Sequence, residues 1–193
     1  MPKVVAINGS PRINGNTTSL INMVFEELNQ HNIETEMVQI GYRDFTGCKA
    51  CYTCRTMKNN SCMYYHDEFN EVFAKCMEAD GIILASPVYV GGMTAQLKTF
   101  IDRACMVDGA NGHPLKRKIG ASIVAVRRNG ALETFNAINN FFTVSQIMIV
   151  SSSYWNQGIG RNPGEVLNDE EGIRTMKTLG ENMAWLLDKV TRA

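Results

Sequence analysis

Long apolar runs are missing from this sequence. Nowhere do the 193 residues approach the roughly 20 consecutive apolar residues of a membrane span. A surplus of either charge is missing too. Nineteen Lys and Arg match 19 Asp and Glu, for a formal net charge of zero. That balance excludes the basic footprint of nucleic-acid binding and the acidity of a small electron carrier that docks on basic partners. No secretory leader opens the chain: Lys3 is followed only by Val4 to Ile7 before Asn8-Gly9 breaks the run, which predicts a cytoplasmic location. Repeats and low-complexity linkers are absent, so residues 1–193 are expected to form one domain. Histidine is scarce as well. His31, His66 and His113 lie in unlike contexts without triad-like companions, and no side-chain acid, base or nucleophile is nominated. Lys98 and Asp102, spaced i,i+4, read as a surface pair.

What is present is an alternation of short apolar runs with helical patterns. Residues 3–8, 35–40, 81–85, 119–126 and 146–150 read as strands, continuous in polarity as parallel strands covered on both faces are. Between them Leu20, Val24 and Leu28, with Ile21 and Phe25 beside them, share one helical face. Phe69, Val72, Phe73 and Cys76 form a second stripe, and Leu97, Ile101 and Cys105 a third. Helices are also expected over 131–145 and 169–190, the last with Ile173, Met176, Leu179, Met183, Leu186 and Val190 on one face. Five strands and five helices in alternation predict an α/β fold: a flavodoxin-like, doubly wound, five-stranded parallel sheet of order 2-1-3-4-5 with helices on both faces. Ligands of such sheets bind beyond the carboxyl ends of strands 1 and 3.

Two loops fall at that point. The first, Asn8-Gly9-Ser10-Pro11-Arg12-Ile13-Asn14-Gly15-Asn16-Thr17-Thr18, leads from strand 1 into a helix and contains no acid; the first is Glu26. A helix N-terminus with Ser10, Asn16, Thr17, Thr18 and the fork of Arg12 suits a phosphate dianion, although Ser and Asn also serve as plain helix caps. The Lys of a P-loop and the G-x-G-x-x-G of a dinucleotide fold are both missing. The second loop, Ser86-Pro87-Val88-Tyr89-Val90-Gly91-Gly92-Met93, offers flat apolar contact from Pro87 and Tyr89, and close backbone approach at Gly91-Gly92. Such a loop suits an isoalloxazine ring. Arg127-Arg128-Asn129-Gly130 can bring a cation near that ring or form a solvated loop.

Together, NGSPR-x3-NTT, SPVY-x5-AQLK-x3-DR and the RRNG turn resemble the NAD(P)H-dependent FMN reductases of the flavodoxin superfamily, over nearly the whole chain. Within it the chain is most similar to the iron–sulfur flavoproteins, which carry a compact cysteine cluster after strand 2. The resemblance implies that Ser10, Arg12, Asn16, Thr17 and Thr18 hold the FMN phosphate. It implies that Pro87, Val88, Tyr89 and Gly92 line the ring, with Arg127 nearby. It also implies NAD(P)H as co-substrate, a small-molecule acceptor such as a quinone, and a homodimer or homotetramer. Arg127 and Arg128 favour NADPH over NADH. Segment 151–168, long for a strand-to-helix connection and carrying Tyr154 and Trp155, is the expected interface. Two other classes stand beside this one: an electron carrier exchanging with ferredoxin, and a binding module that has kept the fold and lost the flavin.

Four of the six cysteines, Cys48, Cys51, Cys54 and Cys62, fall within 15 residues. Cys-x2-Cys-x2-Cys lets three thiolates converge from one loop, and a fourth can close a [4Fe–4S] cubane. Zinc, with His66 as substitute ligand, and metal-free thiols are the alternatives. Cys76 and Cys105 read as buried small hydrophobes.

Overall fold

A computed structural model describes residues 1–191. Its strands are β1 (Lys3–Asn8), β2 (Glu34–Gln39), β3 (Gly81–Pro87), β4 (Ile119–Val126), β5 (Met148–Ile149) and β6 (Gln157–Ile159). Its helices are α1 (Asn16–Gln30), α2 (Thr53–Met57), α3 (Phe69–Glu78), α4 (Ala95–Ala110), α5 (Ala131–Val144) and α6 (Glu170–Thr191), with a 3₁₀ turn at Glu165–Asn168. Every strand pairing is parallel, in the order β2-β1-β3-β4-β5, and β6 also pairs with β4. This is the expected flavodoxin-like order.

The apolar runs of β1 and β3 are continuous because both faces of the sheet are covered. Val5, Ile7, Ile82 and Leu84 point into a core shared with α3, α4 and α5, where Phe69, Phe73, Phe100 and Phe142 are buried. Val4, Ala6, Ile83 and Ala85 point the other way, onto Leu20, Val24 and Leu28 of α1 and Met176, Leu179 and Met183 of α6. Each fully buried Val, Leu, Ile, Phe or Met among them contributes about 1.5–3 kcal/mol. Helices α1 and α6 touch at Gly180, where a Cβ would sit 2.5 Å from that of Glu27. The expected apolar face of α6 is the buried one: Met176, Leu179 and Met183 lie in the core with Ile173 and Leu186 packed against it. Leu187 joins them, and only Val190, at the end of the helix, is 47% exposed. Cys76 is buried as expected, while Cys105 is only half-buried.

The main departure is at the fifth strand, expected over 146–150. Only Met148 and Ile149 pair, opposite Ile119 and Gly120, and both are largely exposed. The chain then leaves the sheet and returns at β6, whose Gln157, Gly158 and Ile159 lie opposite Val124, Ala125 and Val126. The return is held by backbone and by small size. Asn156 O accepts from Val124 N at 2.9 Å, and a Cβ on Gly158 would meet Val166 and Leu20 at 2.5 and 2.6 Å. Segment 151–168 is therefore not one open connection, since it carries a strand and a 3₁₀ turn packed on its own sheet. No helix among the described residues is long and apolar enough to cross a membrane.

Candidate functional site

The first loop is fixed from three sides. Asn8, fully buried, accepts from Ser10 N at 2.9 Å and donates to Thr18 Oγ1 and Gln39 Oε1, both at 3.0 Å. Gln39 Nε2 in turn donates to Ser10 O. Behind the loop Gly41 lies so close that a Cβ there would be 2.1 Å from the carbonyl carbon and oxygen of Ser10. Helix α1 starts from Gly15 with no side-chain cap and no acid in its first turn. Its leading N–H groups thus remain available to an anion. Ser10 and Thr17 are buried beside them, with Ser10 Oγ accepting from Arg12 N at 3.2 Å.

The second loop is bolted to the first through Thr94. Its hydroxyl donates to Gly9 O at 2.8 Å, and its N–H donates to Ser86 Oγ at 3.0 Å. A Cβ on Gly9 would strike Thr94 Oγ1 and Leu97 Cβ at 2.8 Å, so the loops meet only because that residue is glycine. Beyond Pro87, Val88 N donates to Ala125 O at 2.9 Å. Tyr89 and Gly92 exchange hydrogen bonds of 2.8 and 3.0 Å around a two-residue tip with Val90 at φ 49° and Gly91 at φ 75°. A β-branched residue in the left-handed region is strained by about 1–3 kcal/mol, and Val90 is fully exposed besides. The third loop closes on this tip. Gly130, at φ 92°, leaves no room for a Cβ, which would lie 2.9 Å from Val88 Cγ1.

These loops enclose a cavity of about 290 Å³ at the carboxyl ends of β1 and β3. Ser10, Arg12, Asn16, Thr17, Pro87, Val88, Tyr89 and Arg127 all line it, so eight of the ten expected flavin-site residues are brought together. Thr18 is not among the lining residues, and its hydroxyl is engaged in donating to Ile13 O at 2.6 Å. Gly92 is not among them either. Four further lining residues were not expected in the site: Gly15 and Ala125, which belong to the first loop and to β4, and Gly160 and Arg161, which lie outside all three expected loops. The last two directly follow β6, where Gly160 N donates to Val126 O at 2.9 Å and Arg161 N to Glu165 Oε2 at 2.7 Å. Asn16 Oδ1 ties the same segment to α1 by accepting from Gly164 N at 2.9 Å. Arg12, Arg127 and Arg161 all line this space, whereas the ion-paired arginines among the described residues are Arg43, Arg103 and Arg174. Open cavities of about 550 and 490 Å³ adjoin it, both sharing Arg127. A larger cavity, about 870 Å³, lies around Pro2 and His31 at the amino end of the sheet, away from these loops.

The four clustered cysteines share a second, narrow cavity of about 20 Å³. Tyr52 at φ 58° and Lys58 at φ 48° bracket α2, whose buried Cys54 faces inward while Cys48 and Cys51 are exposed. Cys48 Sγ accepts from Ala50 N, and Cys51 Sγ from the Thr53 hydroxyl, both at 3.4 Å. The Thr53 hydroxyl and then its backbone amide hold the Cys51 thiol below its usual range, while burial pushes Cys54 up. Asn70 clamps Cys62 by accepting from its N–H at 2.8 Å and donating to its carbonyl at 3.0 Å. All six cysteines are free thiols. No three His, Cys, Asp or Glu side chains among the described residues are grouped to hold a single metal ion, and His66 does not line this cavity. Arg103 of α4 and Tyr65 do line it; Arg103 closes the SPVY-x5-AQLK-x3-DR motif, but neither residue was assigned to the cysteines from the sequence.

Residues 2–161 match the family described as NADPH-dependent FMN reductase. An iron–sulfur flavoprotein of Methanocaldococcus jannaschii is 36% identical over 189 residues, covering 94% of this chain and 95% of the relative. Among solved structures, RosB with bound 8-demethyl-8-formylriboflavin-5'-phosphate superposes with a TM-score of 0.79 at 17% identity, over 100% of this chain and 81% of the other. A WrbA-like flavodoxin of Agrobacterium tumefaciens superposes at 0.65 and 16% identity, over 97% and 98%. At such identities the structural likeness speaks to the fold alone. The chain belongs to the NADPH-dependent FMN reductase family, in the group of the iron–sulfur flavoproteins.

Proposed function

We propose that this protein is an FMN-dependent oxidoreductase that takes reducing equivalents from NAD(P)H and passes them to a quinone, another small molecule or a protein acceptor. The observation that carries this reading is the single cavity uniting the uncapped, acid-free start of α1 with the Pro87–Tyr89 loop. The residues suit FMN. The first-turn amides of α1 and the hydroxyls of Ser10 and Thr17 bind its phosphate, and Arg12 adds a charged fork. Pro87, Val88 and Tyr89 flank the ring. Arg127 and Arg161 keep the potential positive where negative charge develops on reduction. Bound FMN supplies the hydride-accepting and electron-donating chemistry. The open cavities beside Arg127 leave space for a nicotinamide or an acceptor, and the arginines favour NADPH over NADH. Thr18 acts on the loop rather than on the ligand.

The test is cofactor identity and affinity. Cofactor released from purified protein should be FMN and not FAD. Arg12→Ala should weaken FMN binding by about 1.5 kcal/mol, roughly tenfold. Unchanged affinity would remove Arg12 from the site, and a protein that takes up no FMN would remove the reading.

A second reading, that of a two-centre electron carrier, is favoured by the four thiols around one cavity. Cys48, Cys51, Cys54 and Cys62 would hold a [4Fe–4S] cluster, which would supply one-electron steps, with ferredoxin as a partner. The donor set fits a cluster better than a lone zinc. The narrow cavity requires the turn bearing the exposed Cys48 and Cys51 to open to admit one. Stopped-flow reduction by NADPH, NADH and reduced ferredoxin separates the two readings.

A further inference from the structure

Arg103 is 1% exposed, yet its charge is only partly answered. One nitrogen, Nη1, meets Asp67 and donates to Thr46 O at 3.3 Å. Its Nε and Nη2 have no hydrogen-bond partner, and neither has the buried hydroxyl of Tyr65. These three atoms make up all but one of the unpartnered buried side-chain polar atoms among the described residues, and the side chains that carry them line the cavity of the four cysteines. Leaving buried donors unpaired costs stability, and so does burying a guanidinium. The guanidinium is held rigidly all the same, its Cζ 4.2 Å from the Phe69 ring centroid and 5.2 Å from that of Tyr65.

The charged residues that line the cavity beside the cysteines, Lys49 and Arg103, are both cations. Between Asp44 and Asp67 the sequence contains no acid, while Lys49, Arg55 and Lys58 interleave the cysteines. Neutral thiols call for none of this. Four thiolates around a sulfide-bearing group call for all of it, because their sulfurs accept hydrogen bonds and their net charge is negative.

We propose that Arg103 and Tyr65 are positioning residues for the cysteine-held cluster: their free donors hydrogen-bond its sulfurs and raise its reduction potential. The proposal rests on the cluster reading above and adds to it the residues that tune it. One-electron reduction adds one negative charge to a group already negative. A buried cation and a hydroxyl donor lining the cysteine cavity would stabilise that added charge more than they stabilise the oxidised form. Asp67, which does not line the cavity, engages Nη1 and so leaves Nε and Nη2 as the free donors.

The test is a spectroelectrochemical titration of protein purified without oxygen and reconstituted with iron and sulfide, comparing wild type with Tyr65→Phe, Arg103→Gln and Arg103→Lys. About four iron atoms per chain are expected in the wild type, as a cubane requires. At a fixed potential, Arg103→Gln should shift the reduced-to-oxidised ratio about tenfold toward oxidised, equivalent to about 59 mV for one electron. Tyr65→Phe should shift it severalfold in the same direction, and Arg103→Lys should recover part of the loss. A potential does not depend on how much protein loads, so partial occupancy leaves the measurement intact. If Arg103 serves packing alone, Arg103→Gln lowers the melting temperature of the metal-free protein and leaves the potential unmoved. Unmoved potentials in both Arg103→Gln and Tyr65→Phe, or in Tyr65→Phe alone should Arg103→Gln fail to fold, would overturn the proposal and leave the cluster standing. A wild-type protein that takes up no iron would overturn both.

Discussion

Gly41 offers the sharpest single perturbation of the flavin site, although it never touches the ligand. A methyl group there would lie 2.1 Å from the carbonyl carbon and oxygen of Ser10 and 2.4 Å from Pro11 N. All three atoms are backbone, so no side chain can swing aside. To reach an ordinary contact of about 3.4–4 Å the loop must move by more than 1 Å. Overpacking of this kind costs about 1–3 kcal/mol, or a melting temperature lower by roughly 2–12 °C for a chain of this size. The displacement falls on Ser10, whose N–H is held by Asn8 and whose carbonyl is held by Gln39. The phosphate cradle therefore moves with it. Gly41→Ala should lose FMN affinity by at least tenfold, as expected for one charge-assisted contact drawn out of reach. Gly47 is the internal control, since a Cβ there meets nothing within 4 Å. Gly47→Ala should be neutral or slightly stabilising. Fluorescence titration with FMN and thermal melts of both variants check this. Wild-type affinity and melting temperature in Gly41→Ala would refute the claim that the loop is wedged from behind.

At the tip of the second loop, Val90→Gly should stabilise the protein by about 1 kcal/mol by relieving the left-handed strain, read as a higher urea midpoint; a lower midpoint would mean the strain is not there. Burial works to raise the Asp67 carboxyl, but the Arg103 guanidinium outweighs it and holds the group below its usual value. The stability this contributes is present above the unfolded value of about 3.9 and is lost as pH falls through the lower folded value. Asp67→Asn should accordingly melt below wild type at pH 6, with the gap closing at more acid pH; a constant gap would contradict this. Tyr154 and Trp155, exposed and packed edge-to-face at 4.6 Å, are proposed to seat a second copy, so light scattering at micromolar concentration should give a dimer or tetramer that Trp155→Ala weakens, and a monomeric wild type would end that proposal.

Most of the architecture was legible because burial on both faces writes itself into the sequence. The runs of β1, β3 and β4 carry almost no polar residue before their carboxyl ends, and those ends are where Asn8 and Ser86 begin the site. The parts that were not legible depend on backbone or on distant partners. β6 is a three-residue Gln-Gly-Ile held by ladder hydrogen bonds and a buried glycine, which no periodicity can reveal, so Arg161 on its far side went unseen. Thr18 carries the right hydroxyl for a phosphate, and only the fold shows it engaged by Asn8 and Ile13. Arg103 reaches the cysteines from α4, and nothing local in the sequence marks its guanidinium as only partly hydrogen-bonded. The face of α6 was legible from its periodicity, and only Val190 departs, because the last turn of the helix runs past the core that buries Leu187.

The interrupted fifth strand also bears on how this molecule avoids sticking to its neighbours. An unbroken outer strand would offer a long row of unpaired N–H and C=O groups, a template onto which another chain could add in register. Here the outermost ladder on that side is two residues of β5, a departure from the sheet, and three residues of β6. Neither piece is long enough to nucleate strand addition. The sheet is thereby closed to growth on this edge, and the excursion between the two pieces presents side chains, Tyr154 and Trp155 among them, in place of backbone. Association on this side must be specified by side-chain shape, which a sequence can tune, rather than by main-chain hydrogen bonding, which accepts almost any partner.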